Sequence, residues 1–277
     1  MRRPLFAATL LAATLAVVLG FVHKANRVPR LPTPPGVRVE TQRWSLQGET
    51  VPVDVHLPTQ ATRAPVVLLA HGFTRHRRVL AGWGHLLAQQ GLIAVVPNLP
   101  AFADPERNAR ALVELADLVL TKPAFGAIAP DGRLIYAGHS MGGFASLLAA
   151  ARDPRSLAWI GLDPVDFAGR GRRALAQLQV PALALLAEPD AWNLNGNARA
   201  WLDLATPSLT MLRVRGSTHC DPEHPTSRLA ELACGRTDPE RRTVYERQAL
   251  ALLRHVLFGQ PMPAAPEAAV EVLRAAR

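Results

Sequence analysis

The chain has 277 residues, 49% of them hydrophobic and 19% charged, with only two cysteines and 5% aromatics. That balance excludes a disordered or fibrous protein and a disulfide-dense mini-domain, and it suits one globular domain. The formal charge of +9 is dominated by arginine, yet no aromatic residues interleave the basic runs and no nucleic-acid-binding motif is present, so nucleic acid is not an expected partner. The runs at 75–78 and 170–173 read as solvated faces, with an anionic membrane surface as the alternative contact.

In chain order, Met1-Arg2-Arg3-Pro4 is followed by an apolar run over residues 5–22 and then by His23-Lys24. A positive start and an apolar run read as an export signal over residues 1–25, placing the protein in the periplasm or medium; at this length the alternative is an uncleaved inner-membrane anchor through residues 5–22. Residues 26–36 form a Pro-rich linker. One folded domain is expected over 37–259, and the Pro- and Ala-rich tail at 260–277 reads as peripheral or disordered.

Within the domain, residues 37–57 alternate in the manner of an antiparallel hairpin. The apolar run 64–70 reads as a strand buried on both faces, and 91–97 as another. Helices are expected near 76–90, 105–120, 141–152, 195–204 and 240–257. Strands are expected before Ser140, Asp163, Asp190 and His219. Alternating strands and helices predict an α/β fold, a mostly parallel, doubly wound sheet with its site at the carboxyl edge. About 17 residues separate Asp163 from the next strand at Pro181, too few for a large inserted cap, so the site is expected to be open.

The most specific signal is Gly138-His139-Ser140-Met141-Gly142-Gly143 between an apolar strand and a small-residue helix. In this G-x-S-x-G turn the glycines admit close backbone contact and the serine is held in a strained conformation above the sheet. Ser140 is the expected nucleophile. Met141 N–H, at the start of the following helix, supplies one oxyanion donor, and Phe73 N–H in His71-Gly72-Phe73-Thr74, after the first buried strand, supplies the other. The strand 180–187 delivers Glu188-Pro189-Asp190, and the last strand leads to His219. Ser140, Asp190, His219 follow the α/β-hydrolase order, with Asp190 preferred as the acid. Asp163, after the preceding strand, is the alternative acid, and whichever carboxylate is not used is expected to receive loop N–H groups.

Together these segments resemble the chlorophyllase and polyester-hydrolase (cutinase-like, PET hydrolase) branch of the α/β-hydrolases, from about Arg38 to Phe258. Gly72-Phe73-Thr74 is similar to the segment carrying an aromatic oxyanion donor, and the elbow matches down to Met141. Polyester hydrolases usually present a Trp where Val165 follows Pro164; Gly161-Leu162-Asp163-Pro164-Val165-Asp166 is instead similar to the chlorophyllase pattern. The resemblance implies carboxylic-ester hydrolysis without a metal or other cofactor, on a small-molecule, lipidic or polymeric ester, and leaves the aromatic clamp open. An amidase or lactonase would use the same residues, and an envelope-associated binding protein could occupy the same scaffold. Oligomeric state is not encoded in any motif.

Export would make a Cys220–Cys234 disulfide favourable, contributing about 3 kcal/mol through loop entropy and pinning the loop that carries His219. A metal site from His219, Cys220, His224 and Cys234 lacks paired C-x2-C spacing and would consume the base.

Overall fold

The computed structural model describes residues 27–204, 209–263 and 267–274; the expected leader lies outside them. No helix among the described residues is long and apolar enough to cross a membrane. A nine-stranded sheet in the order β1-β2-β4-β3-β5-β6-β7-β8-β9 organises the chain. The strands are β1 (Val37–Leu46), β2 (Glu49–Pro58), β3 (Arg63–Ala70), β4 (Ile93–Pro97), β5 (Ala129–His139), β6 (Ser156–Leu162), β7 (Ala182–Leu186), β8 (Leu209–Val214) and β9 (Val270–Val272).

The first hairpin is antiparallel, Val37 opposite Pro58 and Leu46 opposite Glu49. It turns through Gln47 and Gly48, both at positive φ (50° and 81°), as a two-residue loop matching the strand twist requires. From β4 to β8 the strands are parallel. In β3, Val66 and Leu68 point into one apolar layer with Trp159, Phe144 and Leu112, and Val67 and Leu69 into the other with Trp83, Tyr245 and Leu253. Period-two alternation between two apolar faces is why this strand reads as an unbroken hydrophobic run.

Helices Pro105–Leu120 and Met141–Arg152 cover the first face, and Ala81–Gln89 and Pro239–Phe258 the second. Two of these start at Asp-Pro. Asp104 and Asp238 accept N–H groups of the first turn, from Arg107 (3.0 Å) and Glu240 (2.7 Å), while proline occupies the position whose N–H would be orphaned. Helix Pro239–Phe258 ends on Gly259 in the left-handed conformation (φ 68°).

Three expectations need correction. The described part of the tail is not detached: Val270–Val272 pairs antiparallel with β8, Leu212 opposite Val272, and Val270 and Leu273 are buried. Three residues are too short to show a period, and the Pro- and Ala-rich composition around them conceals the pairing. The segment before β1 is extended but not apart from the domain, since Val28 packs on the core. The basic runs are not simply solvated either: Arg75 is in a buried pair with Glu223, Arg77 is paired to Asp54 at 2.8 Å, and Arg170 reaches Glu106 at 3.2 Å. Two helices, Gly171–Gln177 and Arg228–Cys234, were not expected, and residues 197–204 wind as a 3₁₀ helix.

Removing residues 268–277 therefore takes two buried apolar side chains out of the core and leaves β8 paired only with β7. Urea denaturation should show a loss of about 3 kcal/mol, at about 1.5–3 kcal/mol per side chain; unchanged stability would mean that the tail does not contribute to the core.

Candidate active site

The carboxyl ends of β3, β5, β6, β7 and β8 converge on one edge of the sheet. Ser140 follows β5 at φ 57°, ψ −128°, and helix Met141–Arg152 begins at the next residue. A side chain at Gly138 would bring its Cβ within 2.5 Å of Gly142 O, and one at Gly142 would strike the carbonyls of Ala70 and His71. The two elbow glycines are thus required by backbone packing, one against the elbow itself and one against the end of β3.

His219, in the loop after β8, faces Ser140. Its Nε2 accepts the Ser140 hydroxyl at 2.9 Å, and its Nδ1–H donates to Asp163 Oδ2 at 2.6 Å. All three residues are at most 7% exposed. Asp163 directly follows β6 at φ 42°, a left-handed conformation that a short polar residue tolerates. Its Oδ1 accepts Ala187 N–H (2.9 Å), and its Oδ2 also accepts the Asn193 side-chain amide (3.1 Å).

This corrects the expected acid. Asp190 turns away from His219, its Oδ1 accepting the N–H groups of Trp192 (2.7 Å) and Asn193 (3.0 Å). The reason is distance along the chain: β7 ends at Leu186, and the turn needed to aim Trp192 and Asn193 consumes the carboxylate. Asn193 then joins both acids, since its amide also holds Glu188 O at 2.8 Å. The residue order alone could not separate Asp163 from Asp190, because both follow strands that end at the same edge.

Burial opposes a charge on His219. The hydrogen bond and charge of Asp163, with the charges of Asp190 and Glu223, outweigh that effect and hold the imidazole above its usual pKa. His139 and His71 differ. Desolvation lowers each to about 4, with only partial recovery from a backbone hydrogen bond. Neutral His139 donates Nε2–H to the carbonyl of His219 at 2.7 Å, bracing the backbone that carries that imidazole. Neutral His71 donates Nδ1–H to Gly72 O (2.9 Å) and accepts Leu99 N–H on Nε2 (2.9 Å). Arg75 N–H meets the same Gly72 carbonyl at 3.2 Å. Because the Gly72–Phe73 peptide is planar and trans, fixing that carbonyl also fixes the opposite direction of Phe73 N–H. No role of its own was expected for His71 from the sequence; its position directly after a buried strand was the available signal.

A buried ion pair fastens this loop to the one carrying His219. Arg75 Nε and Nη2 meet Glu223 Oε1 and Oε2 at 2.7 and 2.6 Å, and Thr226 adds a third bond to Oε2. Burial pushes the Glu223 carboxyl up, but Arg75 holds it below the usual range. The Cys220–Cys234 disulfide closes the same segment, and helix Arg228–Cys234 within it forms one wall of a cleft of about 460 Å³. Val165, Phe167, Trp192 and Phe73 form the others, with Ser140 and His219 at its base. The cleft is therefore less open than the absence of an inserted cap suggested. Ser146 and Ser217 are buried in backbone hydrogen bonds to Gly143 and Val214, away from this arrangement.

Residues 67–275 match the alpha/beta hydrolase family. The chain belongs to that family. It is also similar to a bis(hydroxyethyl) terephthalate hydrolase of Streptomyces coelicolor (strain ATCC BAA-471 / A3(2) / M145), 26% identical over 160 residues that cover 57% of this chain and 42% of that protein. The chain thus matches less than half the length of that relative.

Two stability tests follow from the buried groups. Glu223→Gln removes the carboxylate facing a buried guanidinium and should cost about 3–5 kcal/mol in chemical denaturation, whereas an exposed pair such as Arg107–Glu49 should cost less than about 1 kcal/mol. Equal costs would mean that the pair is not buried in solution. The unfolded chain takes up protons on His71 and His139 from about pH 6.5 downward, while the folded chain takes them up only near pH 4. Stability should therefore fall as pH drops through that window, and a flat Tm between pH 7 and pH 4 would contradict neutral, buried imidazoles.

Proposed function

We propose that this chain is a serine carboxylic-ester hydrolase working through an acyl-enzyme. The observation that carries the reading is the continuous hydrogen-bond chain Ser140–His219–Asp163 at the base of a largely apolar cleft. Ser140 Oγ attacks the ester carbonyl as its proton passes to His219 Nε2, and Asp163 holds the imidazole tautomer and stabilises the imidazolium. Phe73 and Met141 N–H receive the oxyanion; Met141 N–H lies in the first helical turn, where it has no intrahelical acceptor. When the tetrahedral intermediate collapses, the alcohol leaves with the proton from Nε2. Water then repeats the sequence and releases the acid. None of these steps calls on a metal or cofactor.

The rim of the cleft favours lipidic or polymeric esters over small hydrophilic ones. Phe73 packs against Phe102 (ring centroids 4.5 Å apart). Trp192, Leu194 and Leu229 line the cleft at 52%, 49% and 37% exposure, and Phe102, 69% exposed, extends this face beyond Phe73. A terephthalate-type ester is one such substrate, by analogy with the Streptomyces relative; the chlorophyllase alternative rests on the 161–166 segment alone. The disulfide fits an exported protein, because such bonds persist in oxidising compartments.

A p-nitrophenyl ester chain-length series with a Ser140→Ala control tests the activity. An organophosphonate should label Ser140 and neither Ser146 nor Ser217. Turnover retained in Ser140→Ala, or none on any ester in the wild type, would overturn the assignment. Asp163→Asn should lower kcat by about 10⁴ through the wrong tautomer, with Asp190→Asn costing far less; the reverse ranking would return the role to Asp190. The raised His219 pKa requires kcat/KM to climb with pH through an ionisation above about 6.5, since only neutral imidazole takes the serine proton. An acid limb below that value would contradict the pairing with Asp163.

A further inference from the structure

We propose that Trp192 is a latch that sets the width of the cleft, and with it the cross-section of the ester group the enzyme accepts. The inference rests on the ester-hydrolase reading above. Helix Arg228–Cys234 contributes Leu229, Ala230, Ala233 and Cys234 to the cleft wall, yet only Cys234 among its residues is buried. Packing holds it weakly, so its position depends on a few discrete ties. At its end the disulfide joins Cys234 to Cys220, the neighbour of His219. Across the cleft, Trp192 Nε1–H donates to Ala233 O at 2.7 Å. A carbonyl in the last turn of a helix has no intrahelical donor, and the indole fills that place.

The indole is itself aimed from below. Asp190 Oδ1 fixes the backbone N–H groups of Trp192 and Asn193, and Asn193 Oδ1 accepts Asp190 N–H (2.9 Å) and Gly196 N–H (2.7 Å) in return. Asp190 is therefore a positioning residue for the wall, and the turn it builds holds Trp192 at a fixed height over the cleft. With the latch closed, the helix stands against the group bound on that side, and wide groups are excluded. With the latch open, the helix pivots on its disulfide and admits them.

Trp192→Phe keeps an aromatic ring but removes the N–H donor together with part of the indole's bulk; Trp192→Ala removes the donor and the whole ring. The ratio of kcat/KM for p-nitrophenyl benzoate to that for p-nitrophenyl acetate should rise about ten-fold in Trp192→Phe, the scale on which pocket contacts discriminate. Amide hydrogen exchange in residues 228–234 should quicken about five-fold in the same variant, as loss of one hydrogen bond requires. A rise in the ratio in Trp192→Ala alone would assign selectivity to the ring's bulk and overturn the latch. Unchanged exchange in Trp192→Phe would also overturn it. If the wild type turns over neither ester, the hydrolase reading fails, while the exchange measurement still tests the tie between Trp192 and the helix.

Discussion

Contact between bare backbones at the elbow governs the site. Gly142 sits where any side chain would meet the carbonyls of Ala70 and His71, and Gly138 closes on Gly142 itself. The end of β3 and the start of the elbow helix therefore cannot move independently. One contact fixes the height of Ser140 above the sheet and the origin of the loop that carries Phe73. Strain at Ser140 persists because this packing over-determines it, with Ser140 N–H held by Leu162 O at 3.1 Å and Ser140 O receiving Val165 N–H at 3.2 Å.

Around that fixed point, electrostatics divides the histidines by task. His219 is surrounded by carboxylates, so proton uptake is favoured there despite burial. His71 and His139 have backbone carbonyls as their hydrogen-bond partners, and desolvation keeps them neutral donors of fixed tautomer. The same side chain thus favours a proton in one place and acts as a neutral strut in two others, according to whether a carboxylate or a carbonyl accepts its hydrogen bond. The Arg75–Glu223 pair belongs to the second group: it spans the loop that carries Phe73 and the loop that carries His219 and holds them in register.

Most of the fold was legible because its central strands are buried on both faces and two of its long helices begin at Asp-Pro caps. Helices 105–120 and 141–152 match expectation to the residue, and the elbow, its two glycines and the partner His219 were visible from local pattern. The choice between Asp163 and Asp190 was not, since it depends on how far each strand runs and on which backbone amides a turn must satisfy. Arg228–Cys234 was missed for a related reason. It is too short and too exposed to show an apolar stripe, and it is held by cross-links to residues distant in sequence. The Cys220–Cys234 pair was read correctly, but the helix it suspends could not be inferred from spacing.

The two ends of the sheet meet solvent differently. At one end β1 carries Arg38, Glu40 and Arg43 along its ten residues; at the other, the apolar strand β8 is covered by three residues of β9. An unpaired strand with the composition of Leu209–Val214 is a template on which another chain can add, whereas a very short edge strand or a charged one is a poor template. The closing strand is thus a solubility device. By occupying the open hydrogen bonds of β8 it denies neighbouring molecules a place to extend the sheet, so that crowding brings copies of the chain side by side without joining them edge to edge.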